Sequence, residues 1–327
     1  MLSRVGDAIY WMSRYIERAE NIARFINANF HMILDLPQEQ EQWMPLVSTT
    51  GDEALFAGRY GAPTRENVVR FLTFDTNYGN SILSCLRAAR ENARSVREHI
   101  TTEMWERLNT FFLSVRDAAT GAAPLESPHE FYSGIMSASH QFSGTTDATM
   151  ARGEGWHFAM LGRLLERADK TSRILDAKYY VLLPSVSYVG TVYDDIQWAA
   201  VLRSTSALQM YRQRFGQISP SRVIEFLLLS AEFPRAVRFC LVQAEESLRA
   251  ISGTPRSTFR NRAEQRLGQL RAELDYALIE DIIAVGLHEF VDALQTKMNG
   301  IGDAIFETFF AFRPTGGNSQ YQSQDQA

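Results

Sequence analysis

One short segment is written twice in this chain. Arg14-Tyr15-Ile16-Glu17-Arg18-Ala19-Glu20 returns 149 residues later as Arg163-Leu164-Leu165-Glu166-Arg167-Ala168-Asp169, and the same offset carries Arg24 onto Arg173 and Ile26 onto Leu175. This match covers about three helical turns. A second set runs at an offset of 155: Gln42-Trp43 with Gln197-Trp198, Arg59 with Arg214, Gly61 with Gly216, Phe71-Leu72 with Phe226-Leu227, Cys85-Leu86 with Cys240-Leu241, and Glu91 with Glu246. A third, His129-Glu130-Phe131 against His288-Glu289-Phe290, sits at an offset of 159. Matches in one order, with offsets that drift only through loop insertions, predict an internal duplication. The expected organisation is a first repeat over 1–146, a second over 147–313, and a polar tail over 314–327.

The repeated unit reads as helix. Val5, Ile9, Met12, Ile16, Ala19, Ala23 and Ile26 alternate spacings of four and three, which is one apolar stripe of a long helix. Phe158, Leu161, Leu165, Ala168 and Leu175 support a counterpart over Gly155 to Ala177. A third long helix is predicted over Asn80 to His99, capped by Asn80 or Ser81. Its counterpart is expected to open at Phe233-Pro234, and the helix before it at Ser219-Pro220, since proline suits a first turn. Further helices are predicted over Trp105–Ala118, Phe131–Phe142, Arg262–Ile283 and Phe290–Phe310. Breakers fall at Pro37, Gly61-Ala62-Pro63, Gly121 to Pro128, Pro184 to Gly190 and Gly253-Thr254-Pro255. Only Tyr179-Tyr180-Val181-Leu182-Leu183 has strand-like composition, and one such run makes no sheet. The fold class is therefore all-α, a helical bundle of two copies that interlock because their long helices are apolar enough to need each other. The Gln-rich tail is too polar to pack and is expected to be disordered.

At 327 residues the chain is long enough for two cores, and its 45% hydrophobic content is that of an ordinary globular protein. A net charge of −5, with arginines spread along helices, leaves nucleic-acid binding without an instrument. No run of eighteen apolar residues predicts a membrane span, and the polar interruptions Asp7, Arg14 and Glu17 argue against a secretory leader. Cys85 and Cys240 occupy equivalent apolar stretches and read as buried thiols of a reducing cytoplasm.

The candidate site is the repeated Glu-Arg pair. Neighbours on a helix diverge by about 100°, so Glu17 cannot pair with Arg18, nor Glu166 with Arg167. An ordinary solvated face with a Glu20–Arg24 pair is the plainest account of one copy. Retention of Arg14/Arg163, Glu17/Glu166, Arg18/Arg167 and Arg24/Arg173 in both copies points further, to one of two arrangements. In the first, Glu17 meets Arg167 and Glu166 meets Arg18 in a desolvated network that fixes how the halves dock. In the second, the same groups line a cleft and grip a carboxylate- or phosphate-bearing ligand, with Arg14, Arg163, Arg24, Arg173, Arg87, Arg90 and Glu91 as candidate contacts. Arg87 and Arg90 become Val242 and Glu245 in the second copy, so a binding role there belongs to the first.

Other constellations carry less. The six histidines include no i,i+4 pair and there is no Cys-x-x-Cys, so no metal is expected. His129-Glu130 and His288-Glu289 sit at predicted helix starts, where Glu meets the macrodipole. Gly153-Glu154-Gly155 lacks the Gly-Lys-Ser/Thr ending of a phosphate loop, and no nucleophile motif is present. No cofactor is expected, and with no recognisable catalytic constellation the chain reads as accessory rather than enzymatic.

Tandem helical repeats bearing Arg-x-x-Glu-Arg-Ala, with Ser-Cys-Leu-Arg-Ala-Ala-Arg-Glu-Asn-Ala-Arg at 84–94 and Met-Ala-Arg-Gly-Glu-Gly-Trp at 150–156, resemble the alpha-E family, a helical domain named for its Glu-Arg motif. The resemblance covers the chain except its tail. It implies a bacterial genomic setting beside circularly permuted ATP-grasp ligases, transglutaminase-like proteins and an N-terminal-nucleophile peptidase, and service in peptide synthesis or modification. The motif residues carry over as Glu17, Arg18, Glu166 and Arg167, and no catalytic role comes with them. Gly162 in place of Ser13 and Lys170 in place of Asn21 set the second copy apart. The resulting expectation is an accessory protein that binds an ATP-grasp ligase or transglutaminase-like partner, or its peptide substrate. The alternative is an enzyme or ligand-binding subunit that grips an anionic substrate between the repeats.

Overall fold

The computed structural model describes residues 1–34, 43–121, 123–180 and 192–311. Among these are sixteen α-helices and no strand. They run α1 Ser3–Leu34, α2 Met44–Ser48, α3 Glu53–Tyr60, α4 Arg65–Phe74, α5 Ile82–Ser95, α6 Thr102–Ala118, α7 Ala123–Glu126 and α8 Pro128–Thr149. The chain continues with α9 Glu154–Tyr180, α10 Val192–Ser204, α11 Leu208–Phe215, α12 Pro220–Leu229, α13 Val237–Ser252, α14 Arg262–Asp275, α15 Ile279–Val285 and α16 Leu287–Ile305. One turn of π-helix, Phe306–Phe310, ends the described chain. The all-α class expected from periodicity is the one observed.

The two long helices α1 and α9 form the axis of the molecule. They lie against each other; α1 also packs on α5 and α8, α9 on α13 and α16, and α10 against both. Next out, α6 covers α5 and α14 covers α13. The predicted stripe of α1 is buried throughout, from Val5 through Ile16 to Ile26. Beyond the stripe, Glu17, Glu20, Asn21, Arg24, Asn27 and Asn29 are buried as well. Here the structure departs from the solvated face that periodicity suggests: a helix packed against four others keeps only a narrow, partly exposed strip through Asp7, Trp11, Arg14, Arg18 and Phe25. A single apolar core reaches from Val5 to Phe310.

Close approach of α1 and α9 depends on Gly162, where a Cβ would stand 2.3 Å from the carbonyl oxygen of Tyr10. Any side chain there must part the helices, which explains why glycine stands at the position that the 149-residue offset matches to Ser13. Outside the axis, two aromatic clusters brace the shorter helices. Phe56, Tyr60, Phe71 and Tyr78 form one, with Phe71 and Tyr78 stacked at 4.1 Å. Tyr211, Phe215, Phe226 and Phe233, each 155 residues further on, form the other, with Phe226 and Phe233 stacked at 4.8 Å.

Helix ends refine the sequence reading. Ser81 caps α5 by accepting from the Ser84 N–H, so Asn80 is released for other work. Phe233-Pro234 precedes α13, which opens at Val237 after a turn closed by Ala236 N–H to Phe233 C=O. The helix predicted over Arg262–Ile283 breaks at Tyr276–Leu278 into α14 and α15. Asn261 caps α14 and Glu264 reaches back to the Arg260 N–H at 2.7 Å, a reciprocal capping box. The breakers Pro37 and Pro184 to Gly190, the end of the strand-like run (Val181–Leu183), Gln42 and the tail lie outside the described residues. No helix among those described is long and apolar enough to cross a membrane.

Candidate functional site

Glu17, Arg18, Glu166 and Arg167 meet where α1 crosses α9. Arg18 forks onto Glu166, Nε to Oε1 at 2.6 Å and Nη2 to Oε2 at 3.1 Å. Arg167 forks onto Glu17 in the same way, Nε to Oε1 at 2.9 Å and Nη2 to Oε2 at 2.8 Å. Each motif's acid thus takes the arginine of the other motif through the two-pronged geometry that planar guanidinium and carboxylate share. Both carboxylates are buried, at 1% and 0% exposure.

Around these two forks the surroundings of the two Glu-Arg segments differ. Glu166 also receives Arg14 Nε at 2.8 Å and has Lys170 Nζ at 3.5 Å, while Arg18 Nη1 extends to Asn80 Oδ1 at 2.6 Å. On the other side Arg163 does not reach Glu17. It lies 3.9 Å from Asp147, donates to Met160 Sδ, and keeps a buried Nε without a partner among the described residues. Its place is taken by Arg235, which donates to Glu17 Oε1 at 3.0 Å, to Asn21 Oδ1 at 3.1 Å and to Glu20. Arg235 stands 155 residues after Asn80. Sequence reasoning missed it because the match is between unlike residues, although the offset located the position.

Charge balance holds this network together. Burial pushes the Glu17 carboxyl up, but Arg167 and Arg235 outweigh it and the group settles below its ordinary value. At Glu166 the same opposition of burial against Arg18, Lys170 and Arg14 leaves it well below. Glu20 also lies well below, burial being overcome by Arg235, the His140 hydrogen bond and Arg24. Burial pulls the Arg235 guanidinium down to about 10, so at neutral pH it remains charged. Cys85 and Cys240 are both free and buried, and burial pushes each thiol up to about 12, which removes them as nucleophiles.

The remaining candidates separate. Arg24 joins Glu20 through Nε at 2.8 Å and Nη2 at 2.7 Å, and Arg173 joins Asp169 through Nε at 3.0 Å. Arg90 is held on the α5–α6 face by Asn109 Oδ1 at 2.7 Å and by the rings of Trp105 and Phe112, and Glu91 pairs with Arg90 and Arg94. Arg87 is exposed on α5. The structure therefore does not gather Arg87, Arg90 and Glu91 with the Glu-Arg network.

Space decides where a ligand could sit. Beside Arg18, Lys170 and Arg173 the cavity measures about 50 Å³, room for one or two waters at roughly 30 Å³ each. A larger cavity of about 660 Å³ opens at the far end of α1, between α8 and the α10–α11 turn. Arg24 borders it, with His31, His129 and His140. His129 stands at the start of α8, as read from the sequence, and turns toward α1. Its Nδ1 lies 3.2 Å from Asn27 Oδ1 and 3.0 Å from His31 Nε2. The repeat places His288 Nδ1 2.7 Å from Asp176 Oδ1 in the same relation. Among the described residues no group of three or more His, Cys, Asp or Glu side chains could hold a metal ion.

Residues 1–310 match the model of the Alpha-E family, described as a predicted alpha-helical domain with a conserved ER motif. Similar chains include an uncharacterized protein of Mycobacterium bovis at 25% identity and an uncharacterized protein of Mycobacterium tuberculosis H37Rv at 24%. Each match covers 94% of this chain and 37% of the relative, so the chain spans little more than a third of those proteins' length. No solved structure matches.

Proposed function

The chain belongs to the Alpha-E family, and from that premise we propose that it is a partner-binding helical protein. The partner we propose is an ATP-grasp ligase or transglutaminase-like protein of a peptide-modifying system, its peptide substrate being delivered to that enzyme. We infer too that the molecule arose by duplication, with the boundary near 146/147, because the packing of α1 on α5 and α8 recurs as α9 on α13 and α16. The Glu-Arg motif then acts as the clamp between copies. Its donors and acceptors are spent on each other, and the space on its Arg18 and Lys170 side is too small for a peptide.

The observation that carries the partner reading is the outer surface at α15. Tyr276, Leu278, Ile283 and Val285 are exposed by 86%, 60%, 50% and 64% within ten residues, and Ile282 is the one buried residue of that helix. Single exposed apolar side chains are ordinary, whereas a cluster of this kind marks a surface that another protein covers. In the mycobacterial relatives the matching region is joined to nearly twice its own length of further chain, which fits a module that works attached to others.

The test is affinity capture of the tagged full chain from its own cells, wild type against Tyr276→Asp/Val285→Asp, with bound proteins identified by mass spectrometry. Recovery of an ATP-grasp or transglutaminase-like protein by the wild type, lost by a variant of unchanged circular dichroism, is the expected result. Equal recovery by both, or recovery of neither enzyme class, overturns the proposal.

A further inference from the structure

The cavity at the end of α1 shows signs of a built site. It is framed by three elements that are distant in sequence: Arg24 and His31 from α1, His129 and His140 from α8, and Arg203 with Ser206 from the end of α10 and its following turn. Among the described residues no carboxylate lines it. The nearest acid of the network, Glu20, is sealed at 1% exposure and is shared among Arg24, Arg235, Ser139 and His140. Of the network's guanidiniums Arg24 reaches this wall, where it is joined by Arg203.

A second observation is independent of charge. Ser206 has φ of 53°, a left-handed conformation in which glycine is the ordinary occupant, and it ends α10 there with Ala207 N–H on Leu202 C=O at 2.7 Å. The serine hydroxyl receives Arg24 Nη1. A side chain is thus kept at a position whose backbone favours none, and it aims the guanidinium at the cavity edge.

We propose that this cavity binds a phosphorylated small molecule of about nucleotide size. The fork edge of Arg24, Nε with Nη2, is already closed on Glu20, so that arginine cannot offer a planar carboxylate two parallel hydrogen bonds. The basic side chains that line the cavity, Arg24, Arg203, His31, His129 and His140, come from three separate elements, and a basic wall approached from several directions suits the spread oxygens of a tetrahedral phosphate. The volume of about 660 Å³ lies within the range of small-molecule sites and leaves room for an organic portion against Ala28, Met136 and Leu208. This site lies apart from α15, and the proposal stands whether or not a protein docks there.

Isothermal titration calorimetry on the full chain at constant ionic strength tests it, with inorganic phosphate and AMP as probes and citrate as the carboxylate control. AMP should bind one-to-one and more tightly than phosphate, with citrate weaker than AMP by tenfold or more. His140→Ala/Arg203→Gln should lose at least tenfold in AMP affinity while retaining the native circular dichroism. Ser206→Gly, which relaxes the backbone and removes the hydroxyl, should keep or raise the melting temperature and still weaken AMP severalfold. Absence of AMP binding at millimolar concentration, citrate binding as tightly, or affinity unmoved in the Ser206→Gly protein would overturn the assignment.

Discussion

At the scale of single residues, the Glu-Arg motif exchanges partners across two helices and each acid is answered more than once. Removing Arg18 strands Glu166, which is fully buried, with Arg14 and Lys170 as its remaining support. Arg18→Leu should therefore cost about 3–5 kcal/mol, the usual penalty for leaving a buried charge without its main partner. The double variant Arg18→Leu/Glu166→Leu should lose less than the sum of the two single changes, since it leaves no buried carboxylate behind, although Arg14 and Lys170 lose an acceptor. Urea denaturation of the four proteins, with m-values compared, checks this; strict additivity would mean the fork contributes no coupling. The cross-paired arrangement was one of two that the repeated motif allowed in the sequence. Arg235 was not legible, because its counterpart is Asn80 and only the folded molecule brings it against Glu17 and Glu20.

At the scale of elements, the axis is a contact between two helix backbones. Gly162 faces the Tyr10 carbonyl, and a methyl there would stand 2.3 Å from the oxygen, well inside any tolerable approach. Gly162→Ala should lower stability by more than the ~1 kcal/mol that alanine ordinarily gains over glycine in a helix, reversing the sign of the propensity effect. Thermal unfolding settles the sign, with Gly144→Ala on α8, where a Cβ meets nothing within 4 Å, as the reference that should show the ordinary gain. Periodicity located α1 and α9 and their apolar stripes. It described the rest of α1 as solvated because a local pattern contains no information about how many neighbours surround a helix. For the same reason the break at Tyr276–Leu278 was missed: Arg262–Ile283 has helical composition throughout, and no proline or glycine near 276 marks an end.

At the scale of the whole molecule, buried ion pairs make stability sensitive to acid. Glu17, Glu20 and Glu166 have folded pKa values below the ordinary 4.5, and Asp169 lies below 3.8, burial being outweighed there by Lys170 and Arg173. Groups depressed on folding contribute stability that is fully present above their unfolded pKa and is lost as pH falls through the folded one. The contribution of these carboxylates should be level from pH 7 to about pH 5 and then fall below about 4.5, by up to roughly 1.4 kcal/mol per pH unit for each carboxylate still ionised only in the folded state. Urea midpoints measured from pH 7 to pH 3 would show it, and a curve flat to pH 3 would mean that the unfolded chain keeps the same pairs. What the sequence by itself determined was the helical class, the two long helices and the residues of the motif, because spacing and repetition are properties of the chain alone. Tertiary structure decided which acid each arginine meets, that about 50 Å³ is left on the Arg18 and Lys170 side of the motif and that about 660 Å³ opens beside Arg24 and the histidines. Those outcomes depend on residues more than a hundred positions apart meeting in one place, such as Arg24 and His140, and no local pattern records such a meeting.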